Sequence, residues 1–142
     1  QDDDMIFGGA GHDVLMGGSG ADLLRGGVGN DEMHGGAQAD TLFGNDGDDT
    51  LFGDGSNDIL VGGKGNDSID GGGQSDLIFG GAGEDTLLGG IDGNDTIFGG
   101  AGADVIDGGA GWDEIYGDAG SDWLSGGSGG SDTLYGGAGN DT

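Results

Sequence analysis

The sequence predicts an all-β fold: a two-sheet parallel β-solenoid with 18 residues per coil. Three observations predict it. A nine-residue unit repeats along the 142 residues, each unit holds an aspartate and a large aliphatic residue at fixed places two residues apart, and glycine supplies 42 residues while proline supplies none. Glycine and charge without a register would read as a disordered chain. Collagen would need glycine at every third residue and abundant proline. The strict register of nine excludes both.

Counted from their first glycine, units start at Gly8, Gly17, Gly26, Gly35, Gly44, Gly53, Gly62, Gly71, Gly80, Gly89, Gly99, Gly108, Gly117, Gly126 and Gly136. Gly89–Phe98 and Gly126–Tyr135 hold ten residues and the others nine; fourteen full units run from Gly8 to Tyr135, with a partial unit at each end. Residues 1–142 are therefore expected to form a single solenoid domain, and because both ends fall inside a repeat the stretch reads as an excerpt of a longer protein.

The sixth position is Asp throughout: Asp4, Asp13, Asp22, Asp31, Asp40, Asp49, Asp58, Asp67, Asp76, Asp85, Asp95, Asp104, Asp113, Asp122, Asp132 and Asp141. The eighth is Ile, Leu or Met: Ile6, Leu15, Leu24, Met33, Leu42, Leu51, Leu60, Ile69, Ile78, Leu87, Ile97, Ile106, Ile115, Leu124 and Leu134. Positions seven to nine predict a short strand whose eighth residue alone points inward. The preceding six residues must reverse the chain, and glycine at positions one, two and four is expected to supply positive φ. Two units make one coil of strand, turn, strand and turn.

Coils stacked at ~4.8 Å bring turns 18 residues apart over one another. Asp13, Asp31 and Asp49 then begin a row ending at Asp141, and Asp4, Asp22 and Asp40 a second row ending at Asp132. Carboxylates so close cannot all stay ionised without a cation between them.

The formal charge of −26, with Arg25 and Lys64 as the only basic side chains besides two histidines, excludes nucleic acid and anionic membrane surfaces as partners and favours cations. No Cys is present, so disulfides and thiolate metal sites are excluded. No apolar run is long enough to span a membrane as a helix, and no signal peptide is visible. Every ligand on offer is a hard oxygen, which suits calcium with its six to eight oxygens; magnesium demands a stricter octahedron and zinc prefers nitrogen or sulfur.

The unit reads G-G-x-G-x-D-x-U-x, with U aliphatic, as in "GGAGHD" at Gly8–Asp13 and "GGAGND" at Gly136–Asp141. It resembles the RTX calcium-binding nonapeptide repeat over essentially the whole chain. The resemblance implies a right-handed parallel β-roll in which consecutive loops sandwich each Ca²⁺ between glycine-turn carbonyls and the sixth-position aspartates. Carried over, it nominates the sixteen aspartates above. It also nominates the turns of Gly9, Gly11, Gly18, Gly20, Gly27, Gly29, Gly63, Gly65, Gly81, Gly83, Gly100, Gly102, Gly109, Gly111, Gly137 and Gly139. Two rows of eight offer up to fourteen sites, and fourteen Ca²⁺ would nearly neutralise the chain.

About ten occupied sites are expected on the six-to-eight-oxygen requirement. Gln38, Ser56 and Gln74 replace the fourth-position glycine and Asn45, Asp54 and Asp118 the second, while extra residues near Ile91–Asp92 and Gly129–Gly130 distort their turns. Since one aliphatic column is too small to offset the ordering of so much glycine, the chain is expected to fold only on binding Ca²⁺.

Along one sheet the outward ninth position reads Phe7, Arg25, Phe43, Val61, Phe79, Phe98, Tyr116 and Tyr135. This apolar ladder either stacks on itself or docks a neighbouring domain or another copy of the chain. His12 and His34 stand far apart and read as surface residues. No nucleophile, base or zinc constellation is present, so the chain is not expected to be an enzyme, although a catalytic domain could lie elsewhere in a parent protein. By resemblance, such rolls belong to secreted or cell-surface bacterial toxins, metalloproteases, lipases, epimerases and adhesins exported in one step (type I secretion). The resemblance implies a calcium-binding structural module in an extracellular setting. The export signal expected after such repeats is not in this stretch. A self-assembling or adhesive surface element is the alternative.

Overall fold

A nine-residue unit containing three glycines builds more strand than its side chains advertise. In the computed structural model, which describes residues 2–142, the strand runs from position seven through position three of the next unit, leaving three residues for the turn. The strands are β1 (Met5–Ala10), β2 (Val14–Ser19), β3 (Leu23–Val28), β4 (Glu32–Ala37), β5 (Thr41–Asp46), β6 (Thr50–Gly55), β7 (Ile59–Lys64), β8 (Ser68–Gly72) and β9 (Leu77–Ala82). They continue as β10 (Thr86–Gly90), β11 (Thr96–Ala101), β12 (Val105–Asp107), β13 (Ala110–Gly111), β14 (Glu114–Gly120), β15 (Trp123–Ser125), β16 (Ser128–Gly129), β17 (Thr133–Tyr135) and β18 (Ala138–Gly139). The described residues contain no helix, and so none long and apolar enough to cross a membrane.

Alternate strands fall into different sheets. One runs β1-β3-β5-β7-β9-β11-β14-β17, with β18 also on β14; the other runs β2-β4-β6-β8-β10-β12-β15; β13 and β16 form a small third pair. All pairings are parallel, and the register sets Leu24 against Leu42 and Leu42 against Leu60. The chain is therefore a parallel β-solenoid of about 18 residues per coil, as the period implied.

The core is the eighth-position column. Twelve of its members, from Leu15 to Ile115, are buried; Ile6 and Leu124 pack partly against them, and Leu134 is 41% exposed. The column is not the only thing facing inward. Because the strand is longer than three residues, its alternation continues on either side of the aliphatic residue. Position six points in, with the twelve aspartates from Asp22 to Asp122 buried, and so does position one of the next unit. The expectation that only the eighth residue points inward is corrected accordingly.

The role of the first glycine changes with it. Positive φ occurs at positions two and four, as at Gly27 (122°) and Gly29 (121°), but position one has no positive φ anywhere among the described residues. Glycine stands there for lack of room. A Cβ on Gly80 would lie 2.5 Å from Asp85 Oδ2 and 2.6 Å from the Gly99 carbonyl oxygen. The six non-glycine residues at positions two and four keep the turn shape, with φ from 67° at Asp118 to 102° at Ser56. Asn and Asp tolerate that region best.

The packing role of the first glycine can be tested against a glycine that has none. Gly80→Ala should destabilise the folded protein by about 1–3 kcal/mol through overpacking. Gly55→Ala, where φ is not positive and nothing lies within 4 Å of the new methyl, should stay within about 0.5 kcal/mol of the parent. Denaturant midpoints report both, and equal midpoints for the two variants would refute the packing role.

Candidate metal centre

Stacking of the turns turns each sixth-position aspartate into a link of a polar row. The backbone N–H of each donates to Oδ1 of the aspartate one coil further on, at 2.7–3.1 Å, in fourteen bonds. One row runs Asp4-Asp22-Asp40-Asp58-Asp76-Asp95-Asp113-Asp132 and the other Asp13-Asp31-Asp49-Asp67-Asp85-Asp104-Asp122-Asp141. All sixteen predicted aspartates lie in these rows, in the predicted order.

The second carboxylate oxygen has no such partner. Oδ2 is buried and accepts no hydrogen bond in thirteen of the aspartates, from Asp13 to Asp122. A buried carboxylate oxygen left unpaired is costly. Among the described residues no lysine or arginine relieves it: Lys64 pairs with Asp46 at 2.8 Å, and the Arg25 guanidinium lies 4.8 Å over the Phe43 ring.

Burial pushes these carboxyls up. Asp76 rises to about 8, Asp67 to about 7, and Asp49, Asp58, Asp95 and Asp104 to about 6; Asp40, Asp85 and Asp113 also rise. Desolvation is the largest cause in each. The N–H of the preceding coil's aspartate acts against it, and for most of them neighbouring carboxylates add to the rise.

The predicted glycine turns lie beside the rows. Each of the sixteen nominated glycines has positive φ. A Cβ on Gly27 or Gly29 would run into the carbonyl oxygen of Gly9 or Gly11 in the coil before, so carbonyl oxygens of one turn abut the next turn of the stack. No three His, Cys, Asp or Glu side chains converge on a metal position among the described residues. A cation here would draw on carboxylate oxygens from the rows and on backbone carbonyls, the hard-oxygen donor set that suits calcium.

Both insertions leave the row links in place. The first is absorbed: Ile91 bulges out, 84% exposed, Asp92 Oδ1 accepts the Gln74 N–H at 2.9 Å, and the Asp76-to-Asp95 link keeps 2.8 Å. Across the second, Asp113 reaches Asp132 at 3.1 Å.

Sequence reasoning missed a further row. The fifth position, on the outside of the turn, links coils in the opposite sense. Asn30, Asp48, Asn66 and Glu84 each donate a backbone N–H to the side chain one coil earlier, on His12, Asn30, Asp48 and Asn66. The frequency of Asn, Asp and Ser at that position was its signal.

The chain matches the family model of the RTX calcium-binding nonapeptide repeat (4 copies) over residues 1–33, 25–60, 52–87, 89–124 and 126–142. It belongs to that family. No curated protein matches the chain. As an RTX repeat it is a calcium-binding repeat module, and the unpaired Oδ2 atoms show that its residues fit a bound cation. Calcium, when bound, supplies positive charge where the rows carry only negative charge.

The titration of the RTX rows has a definite sign. A carboxyl whose folded pKa is raised stabilises the fold below its unfolded value of about 3.9. That contribution disappears as pH rises through the folded values of about 6 to 8. In chelator, the far-UV β signal should therefore grow as pH falls from about 8 to about 4, the window between the raised folded values and the unfolded one. With millimolar calcium it should be present at both ends. A chelated protein whose signal is unchanged or lost on acidification would contradict the assignment of the rows as buried carboxyls.

Proposed function

We propose that residues 1–142 are one calcium-folded structural domain, disordered in low calcium and rigid in high calcium, working outside the cell in a secreted or surface-attached protein. The observation that carries this is the thirteen buried, unpaired Oδ2 atoms, an arrangement that ionised carboxylates can hold only around cations. The sixteen aspartates and the sixteen glycine-turn residues named above hold the ions, in up to fourteen sites, of which about ten fill on the six-to-eight-oxygen requirement. The domain catalyses nothing itself; its product is shape. Low cytosolic calcium would keep it threadable during export, and the higher external concentration would set it.

Circular dichroism tests this directly. The chain should show no β signal in chelator at neutral pH and gain it in millimolar calcium; β signal in chelator at that pH would overturn the reading. Asp67→Asn with Asp85→Asn removes two adjacent carboxylates from one row. It should reduce the number of ions bound at saturation, read by calorimetry, and raise the calcium midpoint of folding about tenfold or more, some 1.4 kcal/mol.

A second reading gives the aromatic face a partner, either a neighbouring domain or another copy. Phe7 is 60% and Tyr135 49% exposed at the two ends of the column. Between them, however, Phe79, Phe98, Tyr116 and Tyr135 stack on one another, with centroids 4.7–5.1 Å apart. That stacking favours local stability. Phe43→Lys with Phe79→Lys should abolish any calcium-dependent association in sedimentation while leaving calcium-induced folding in place. A monomeric parent in calcium removes self-association, the form of this reading that sedimentation addresses.

A further inference from the structure

The chain has two tyrosines, 19 residues apart in sequence, and the solenoid sets them on neighbouring rungs: Tyr116 on β14 pairs with Tyr135 on β17. Their rings are stacked, centroids 4.8 Å apart and planes 14° from parallel. Side chains paired across parallel strands leave the sheet in the same direction, so the two phenols lie side by side with their hydroxyl ends outward. The Tyr116 hydroxyl donates to Glu114 Oε1 at 2.6 Å. Tyr135 is 49% exposed. The rungs below, Phe98 and Phe79, continue the stack without a hydroxyl.

The geometry points to a covalent modification site: Tyr116 and Tyr135 couple oxidatively into a dityrosine that staples β17 to β14, with a peroxide-fed one-electron oxidant as co-reactant. Each phenol gives up one electron and its hydroxyl proton, the carboxylate of Glu114 being placed to take that of Tyr116. A carbon–carbon bond then forms between the ring carbons next to the two hydroxyls. The hydrogen on each of those carbons returns to the phenol oxygen and restores aromaticity. Two electrons and two protons reduce one hydrogen peroxide to two waters, so the chain loses two hydrogen atoms and gains one bond. The Glu114 hydrogen bond pushes the Tyr116 phenol up to about 12. It therefore stays protonated at neutral pH, and the route is loss of an electron together with the proton. Phenylalanine cannot enter this chemistry, which confines it to one step of the ladder.

The inference rests on the calcium-folded reading, because the stack exists only in the folded chain. The test treats the full chain in millimolar calcium, at low protein concentration, with a haem peroxidase and hydrogen peroxide. Dityrosine fluorescence should appear in a monomer lighter by two hydrogen atoms, with one cross-linked peptide pair joining Tyr116 to Tyr135. Tyr135→Phe keeps the ring stack and should lose the fluorescence entirely. In chelator the monomer yield should fall about tenfold or more, since the pre-set proximity is gone. Coupling seen only between chains, or an equal monomer yield in chelator, would overturn the assignment. Circular dichroism of the same samples reads the folding separately, so failure of the calcium reading and failure of the coupling are told apart.

Discussion

Two rows of carboxylates lie inside this molecule, and the rest of its architecture is arranged around keeping them there. Unit charges ~4.8 Å apart repel by about 3 kcal/mol at an effective dielectric of about 20, and each member inside a row has two such neighbours. In the twelve row carboxylates from Asp22 to Asp122 one oxygen is served by a backbone N–H from the coil before; the other is served by nothing in the chain. The protein therefore has two ways to occupy this fold: protonate the rows, which burial encourages, or place cations among them. Only Asp67 and Asp76 are pushed as far as about 7 and 8, so at neutral pH protonation alone would leave much of the rows ionised.

The glycines follow from the same constraint. A carboxylate turned inward needs space, and the first-position glycine provides it by having no side chain where Oδ2 and a carbonyl of the next coil already lie. The second and fourth glycines meet a different demand, a backbone bent into positive φ. Nature's substitutions respect the distinction. Asn45, Asp54, Asp118, Gln38, Ser56 and Gln74 all stand at positive-φ positions, away from the carboxylate row, at a cost of order 1–3 kcal/mol for the residues least suited to it. No unit replaces the first glycine, where a methyl would strike the row.

What could be read from the sequence was whatever repeats without exception. The Asp and aliphatic columns gave the 18-residue coil, the two sheets and the composition of both rows, because a strict period leaves one way to stack. The inward direction of the aspartates was not legible. It depends on the strand continuing through Gly26 and Gly27 or Gly62 and Gly63, residues that pattern reasoning treats as strand breakers; parallel neighbours on both sides hold them in the ladder. The fifth-position row was also missed, since His12, Asn30, Asp48 and Asn66 look like ordinary turn residues until the coils are stacked. The first insertion was read as a distortion of its turn; Ile91 swings out and Asp92 Oδ1 accepts the Gln74 N–H of the coil before, and the row link stays at 2.8 Å.

The rows also give the solenoid a direction. The sixth-position N–H of each aspartate from Asp4 to Asp122 is satisfied by the coil that follows it in sequence, so the order of a coil depends on its C-terminal neighbour being in place. The fifth-position contacts run the other way, but they lapse where alanine stands, as at Ala39 and Ala103, whereas the carboxylate links continue through all fourteen steps without a break. In a repeat array each coil touches only its neighbours, and an uninterrupted polar row is then what carries cooperativity from one end to the other. Cations seated along that row would join coils that the thin aliphatic column could hold only weakly.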